Sequence, residues 1–391
     1  QLNEVNMHQM TSRERLLAAY RHQPVDRVPC SPRITYWLID HYGDASLGTH
    51  LRAAEEFGFD LHHNAGVYWS PFELGARDSY DLPGVEYSLS WGKDGAFDVA
   101  MRTFRTPAGT LTDRLNIPPR GDRSFGMAPN PFRTEHLVKT RDDLGPLRYL
   151  LPDPARTNLD PYFQQAEQVG ENGLVQLNVH SALNHRAGEM MGTEDLMMLY
   201  YDDAPFFAEL MDIGHQQQLA EIRAALDAGV RHFFLNWYYN SMSAGWSPSF
   251  WTEYFQPQLR ETCEVIHAAD GTANLYDDGK CMAIINLVAD AGIDVLETLT
   301  PPPVGDVDLA EAKRRIGDRV CLKGHTDLIY VLKLGTPVLV EQTVRNAIEA
   351  AGPTGFILGT SDGIRDGTPI ENVRAYFNAA RTYGCQKEGQ L

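Results

Sequence analysis

Short apolar runs recur along this chain. Each ends in a polar or glycine-rich tip, and a longer stretch with apolar residues at three- and four-residue spacing follows. The runs are RVPCSPRIT (27–35), GFDLHHNAG (58–66), GLVQLNVHS (173–181), RHFFLNWYYN (231–240), TANLYDDG (272–279), DVLETLTPP (294–302), RVCLKGHTD (319–327) and GFILGTSDG (355–363). A near-continuous apolar run of this length reads as a strand buried on both faces, and the wider spacing reads as an amphipathic helix. DAPFFAELMDIGHQQQLAEIRAALDAG and LAEAKRRIG are helical segments of this kind. The eight repeats predict an α/β fold, a (β/α)8 barrel of TIM type forming one domain over 1–391. One stretch breaks the rhythm. Within 70–150, EYSLSWGKDGAFDVAMRTFRTPAGTLTDRL alternates and carries Gly and Pro-Ala-Gly punctuation, which predicts a β-hairpin or meander inserted after the second strand.

Barrels of this class build their sites at the C-terminal ends of the strands. Here those tips carry His62 and His63; Asn178 and His180; Asn236, Trp237, Tyr238 and Asn240; Tyr276, Asp277 and Asp278; Glu297; His325 and Asp327; and Ser361 and Asp362. Taken singly, a His or Asn at a strand end serves most simply to cap a loop. Their convergence at one mouth points to function instead. Asp278, Glu297 and His325 are the candidate catalytic groups. With Asp362 they form a candidate metal set, for which zinc suits one imidazole and several carboxylates. The same residues also read as an acid–base cluster whose pKa values are pushed apart by proximity. His62, Asn178, His180, Asn236, Trp237, Tyr238 and Tyr276 are the candidate substrate contacts, and aromatic walls suit an aryl or quaternary-amine ligand. In NLYDDGKCM (274–282), strand alternation turns Asp278 toward the mouth and Asp277 toward a neighbouring loop.

Composition narrows the field. A net charge of −18 disfavours nucleic acid and anionic membranes as partners. No apolar run is long enough to cross a bilayer, and the polar opening QLNEVNMHQM has no signal-like core, so the expected location is the cytoplasm. The five cysteines are scattered, with no CxxC, which fits reduced thiols and not a disulfide framework. DLHHNAG (60–66) comes close to the D-x-H-x-x-G signature of corrinoid proteins, but its glycine arrives one residue late, and it reads as a strand tip.

Several stretches resemble the uroporphyrinogen-decarboxylase-like superfamily. TSRERLLAAYRHQPVDRVP is similar to its opening helix and entry to the first strand. DLAEAKRRIGDRVCLKGHTDLIYVLKLGTPVLVEQTVRNAIEA and GFILGTSDGIRDGTPIENVRAYFNAARTYG are similar to its last two units, and VKTRDDLGPLRYLLPDP to its middle. The superfamily holds decarboxylases and methyltransferases that exchange methyl groups with corrinoid proteins. The decarboxylases' M-R-Q-A-G-R motif is absent from SPRITYWLIDHYGD, where only Arg33 remains. Where the coenzyme-M methyltransferases place His-x-Cys and a distant Cys, this chain carries Tyr276, Asp278 and Asp362. Glu297 and His325 suit the harder site attributed to relatives that cleave aromatic methyl ethers, and TPAGTL also resembles that branch. The resemblance therefore implies a methyltransferase component that demethylates a small O- or N-methylated compound. The methyl group passes to a corrinoid on a separate protein, and the enzyme is a homodimer. Two other readings stay open. One is a lyase acting on a small carboxylic acid, with Arg33, Arg186, Lys280 and Lys323 as cations; the other is a non-catalytic, partner-binding barrel.

Overall fold

The computed structural model describes residues 9–67, 82–119, 131–180, 188–236 and 241–385. The chain divides into two compact units. The first comprises residues 1–65, 160–178 and 230–391, and the second comprises 66–159 and 179–229.

The first unit holds a curled parallel sheet of seven strands, in the order β1 (Leu61–Ala65), β6 (Gly173–His180), β7 (His232–Asn236), β8 (Thr272–Tyr276), β9 (Val295–Thr298), β10 (Cys321–Thr326) and β11 (Phe356–Thr360). Each falls inside one of the apolar runs. Strands buried on both faces need apolar residues at nearly every position, and β11 (FILGT) is buried throughout. Helices such as Gln256–His267, Leu309–Ile316 and Pro337–Ala351 connect successive strands. Thr336 caps the last of these by accepting from the Leu339 amide.

The eighth expected strand is absent. Segment 27–35 forms only one bridge, Cys30 beside Leu358. Its amide ladder is interrupted because Pro29 and Pro32 carry no N–H. The segment still lies between the two edges of the sheet. Leu358 N–H donates to Pro29 O, Ser31 N–H to Leu358 O, and Asp60 N–H to Cys30 O at 2.7–2.8 Å.

Helix α1 (Ser12–Tyr20) starts at a Thr11/Glu14 capping box and packs Leu16, Ala19 and Tyr20 against Leu174, Val295, Cys321 and Ile357. These are inward residues near the N-terminal ends of four strands, so α1 covers that end of the sheet. Arg15 anchors it, donating to Asp26, to Met10 O and to the fully buried Asp60, which also takes Arg27.

The second unit holds the antiparallel meander expected from the alternating stretch: β2 (Glu86–Asp94), β3 (Phe97–Thr106), β4 (Gly109–Ile117) and β5 (Phe132–Glu135). Its buried face carries the Arg102–Asp113 pair, which sits in register across β3 and β4, with Arg133 at 3.3 Å from Asp113. The long helix Ala204–Asp227 belongs to this unit. Among the described residues, no helix is long and apolar enough to cross a membrane.

Candidate active site

Side chains on the concave face follow the two-residue period of the strands. Above the apolar layer that α1 covers, the next inward positions are Gln176, Asn274, Glu297, Lys323 and His62, and with Tyr20 of α1 they form a closed ring of polar contacts, five of them hydrogen bonds and one an ion pair. Lys323 Nζ lies 3.0 Å from Glu297 Oε1. Glu297 Oε2 accepts from Asn274 Nδ2 at 2.9 Å, and the same amide donates to Gln176 Oε1 at 3.1 Å. Gln176 Nε2 donates to Tyr20 Oη at 2.7 Å, and Tyr20 Oη lies 2.6 Å from His62 Nε2. His62 Nδ1, 2.9 Å from Lys323 Nζ, closes the circle. Glu297 and Lys323 are 2% and 3% exposed and His62 is half-buried, so the ring is a polar floor closed on the Glu297–Lys323 side. Burial would raise Glu297, but the charges of Lys323 and Arg33 and the Asn274 bond hold it below its ordinary value. Burial drives His62 far below the usual imidazole range, so it is neutral.

Arg33 stacks over the rings of Tyr276 and Phe234, at 4.2 and 5.2 Å from their centroids. Tyr276 Oη donates to Asp362 Oδ1 at 3.1 Å, and Arg365 binds Asp362 Oδ2 at 2.8 Å. Asp278 joins this group, half-buried beside Asp362 and Tyr276. Burial raises the Asp278 carboxyl and the negative charge of Asp362 raises it further. Its own amide, Arg33 and the Tyr276 hydroxyl oppose this without cancelling it. Asp278 therefore holds its proton to higher pH than an ordinary aspartate, while its neighbour is ion-paired to Arg365.

His325 stands where two strand ends are bent together. It adopts φ +93°, as does Thr298, and Leu299 has φ +48°. Such values are rare away from glycine. The bend lets His325 Nδ1 donate to Leu299 O at 3.1 Å. A carbonyl can only accept, so Nδ1 carries the hydrogen and Nε2 keeps its lone pair. Burial holds the ring below its ordinary value, against the Leu299 carbonyl and Asp308. Gly324 makes the approach possible: at φ +136°, an added Cβ would stand 2.1 Å from Thr298 O. Gly324→Ala is expected to cost about 3 kcal/mol in urea unfolding and to displace His325. Wild-type stability would show that the bend is not tight.

The expected four-ligand metal centre is not assembled. Among the described residues, no three His, Cys, Asp or Glu side chains are placed to share an ion. Glu297 is committed to Lys323 and Asn274, and Asp362 to Tyr276 and Arg365. As arranged, these donors do not fit a ligand set. Of the candidate substrate contacts, Tyr276 joins the acid cluster and His62 the floor. Asn236 is buried at the tip of β7, with no hydrogen-bond partner for Oδ1 among the described residues. Asn178 closes the first unit's part of β6, and His180 belongs to the second unit. Trp237, Tyr238, Asn240 and Arg186 lie outside the described residues. Asp277 is buried and out of phase with Asp278, and its charge falls on Cys281. Tyr20, Gln176, Asn274 and Arg365 were not among the expected site residues. The signal for two of them was polarity at inward positions, Gln176 two residues before Asn178 and Asn274 two before Tyr276.

A curled parallel sheet with acid and imidazole groups on its concave face defines an α/β, barrel-like protein with an enzyme-type site. Residues 185–383, just over half the chain, match the family model for uroporphyrinogen decarboxylase (URO-D), and the chain belongs to that family. It is 26% identical to uroporphyrinogen decarboxylase 1 (chloroplastic) of Oryza sativa subsp. japonica over 34% of this chain and 32% of the relative. It is 29% identical to the uroporphyrinogen decarboxylase of Microcystis aeruginosa over 29% of this chain and 30% of the relative. The chain thus spans about a third of the length of these curated relatives. In fold it is similar to a methyltransferase from Methanosarcina mazei, with a TM-score of 0.63 and 17% identity, covering 96% of this chain and 99% of that one.

Proposed function

We propose that the protein is the methyltransferase component of an O-demethylase: it takes the methyl group from a small aryl methyl ether and passes it to a corrinoid carried by a separate protein. The corrinoid supplies the nucleophile that accepts the methyl group. This chain binds the ether and handles the charge on its oxygen. The ether oxygen leaves far more readily when it is protonated as it departs, and Asp278, whose carboxyl is raised by burial and by Asp362, is the acid offered for that step. The cluster of Asp278 with Tyr276 and the Arg365-paired Asp362 is the observation that carries the reading. It also selects an ether over a quaternary amine, whose nitrogen leaves neutral and needs no acid. Asn236 Oδ1, buried and without a hydrogen-bond partner among the described residues, fits a hydroxyl on the substrate. His325 Nε2 can accept from a second such group. The similarity in fold to a methyltransferase supports the reading, while the decarboxylase names of the curated relatives set the competing one.

Both are tested together. Purified protein is mixed with free cob(I)alamin and a panel of methoxylated aromatics, and methylcobalamin formation is followed by absorbance. Carbon dioxide release from the corresponding carboxylic acids is measured in parallel. Methyl transfer is the expected result. Carbon dioxide release without methyl transfer overturns the proposal in favour of a lyase.

A further inference from the structure

Three neighbouring strands, β1, β6 and β7, each carry an asparagine at the same inward step. On β1, His63 turns outward to Gln165 and His62 reaches inward to the floor. The two-residue period therefore brings Asn64 inward, one step above His62. On β6, Asn178 stands one step above the floor residue Gln176. On β7, Asn236 stands one step above Phe234, whose ring Arg33 covers, and its register partner on β8 is Tyr276. Adjacent strands lie about 4.8 Å apart, so the three carboxamides line one wall. That wall ends beside the cluster of Tyr276, Asp278 and Asp362.

The wall carries no charge, and its hydrogen bonds are incomplete. Asn236 is 3% exposed, and its Oδ1 has no hydrogen-bond partner among the described residues. Asn64 is half-buried, and its side chain makes no hydrogen bond among the described residues. A buried acceptor left unmade costs about 1–3 kcal/mol, which a ligand that brings the donor recovers. The chemistry of that ligand follows from the amides. A carboxamide offers both an acceptor and donors without charge, and a hydroxyl matches it in both directions. A carboxylate can only accept, so it leaves Asn236 Oδ1 unmade, and it meets the negative charge of Asp362. The cations near the site have other contacts: Arg365 binds Asp362, Lys323 binds Glu297, and Arg33 stacks over Tyr276 and Phe234.

We propose that Asn64 and Asn236, with Asn178 between them, bind hydroxyl groups on the aromatic ring that carries the methyl ether. The substrate is then a neutral, polyhydroxylated aryl ether, and Asn64 is a specificity-determining residue of the site. The ether rests on the proposed demethylation; the preference for neutral hydroxyls rests on the wall alone. Because Asn236 and Tyr276 are register partners, the hydroxyl held by Asn236 lies nearest the ether oxygen, and the one held by Asn64 lies farther round the ring.

The test reads binding and needs no corrinoid. The full chain is titrated by calorimetry with 3-methoxycatechol, 5-methoxyresorcinol, anisole and 4-methoxybenzoate. One of the two dihydroxy ethers is expected to bind about 10-fold or more tightly than anisole or the acid. Asn64→Ala and Asn236→Leu are each expected to weaken that ether by about 10-fold and to leave anisole unchanged. Melting without ligand separates recognition from support. Asn236→Leu removes an unpaired buried acceptor, so it is expected to melt no lower than wild type. Asn64→Ala changes a half-buried position and gives the binding answer even where the leucine variant fails to fold.

The proposal is overturned if neither dihydroxy ether binds, if anisole or 4-methoxybenzoate binds as tightly as they do, or if Asn64→Ala binds them like wild type. Selective binding with no methyl transfer to cob(I)alamin keeps the wall and removes the demethylation. Methyl transfer from 4-methoxybenzoate or anisole alone does the reverse.

Discussion

Asp278→Asn is expected to lower methyl-transfer turnover by about 10²–10⁴-fold while leaving substrate affinity nearly unchanged. The amide keeps the shape and one hydrogen-bond donor but has no proton to give. The pH profile sharpens the test. The carboxyl is raised by burial and by Asp362, so wild-type activity is expected to fall on the alkaline side as the acid form is lost. The residual activity of the variant should lack that limb. Stability moves in the opposite sense to activity. A carboxyl raised in the folded state contributes stability that is complete below its unfolded value, about 3.9, and is lost as pH rises through the folded value. The amide does not ionise, so the variant should melt above wild type at neutral pH and level with it near pH 3. Equal turnover in the two proteins would remove Asp278 as the acid.

Asp60→Ala is expected to destabilise the fold by about 3–5 kcal/mol, the usual cost of leaving a buried ion pair without its partner. Asp60 is fully buried, and Arg15 beside it is 4% exposed. One carboxylate oxygen takes Arg15 at 2.5 Å and Arg27 at 2.9 Å, and the other takes the Cys30 amide at 3.0 Å. Removing it leaves the guanidinium that seats α1 with Asp26 and Met10 O alone, and frees the backbone beside the first edge of the sheet. Because α1 carries Tyr20, the polar floor should loosen as well. Urea unfolding checks the magnitude, and a loss under 1 kcal/mol would show that Asp26 alone holds Arg15.

The sequence made the sheet legible for a physical reason. A parallel strand covered on both faces has to be apolar almost throughout, so seven runs stood out from their surroundings. The first run misled because RVPCSPRIT has the composition of a strand but lacks amides at Pro29 and Pro32. The alternating stretch around β2, β3 and β4 announced the meander equally well. The candidate cluster was legible at the strand tips, where Tyr276, Asp278 and Asp362 come together. It was not legible one step deeper. Glu297 looked like a tip residue because it interrupts VLETL, yet its register partner on β10 is Lys323, and that pairing commits it to the floor. Strand pairing cannot be read from either run alone. Tyr20 was less accessible still, since it reaches the ring from a helix outside the sheet.

Between β11 and β1 the two edges of the sheet are joined by a strap, not by a strand. Elsewhere neighbouring strands share a ladder of several rungs; here one bridge, made by two backbone bonds to Leu358, and a third bond from Asp60 do the work. Such a seam is where thermal breathing concentrates, because few contacts must open at once. Arg33 hangs from this strap, with its amide on Thr360 Oγ1 and its carbonyl receiving the Ile364 amide. The cation stacked on Tyr276 is therefore mounted on the segment that joins the sheet edges by the fewest backbone bonds, while the floor beneath it hangs on strands paired by full ladders.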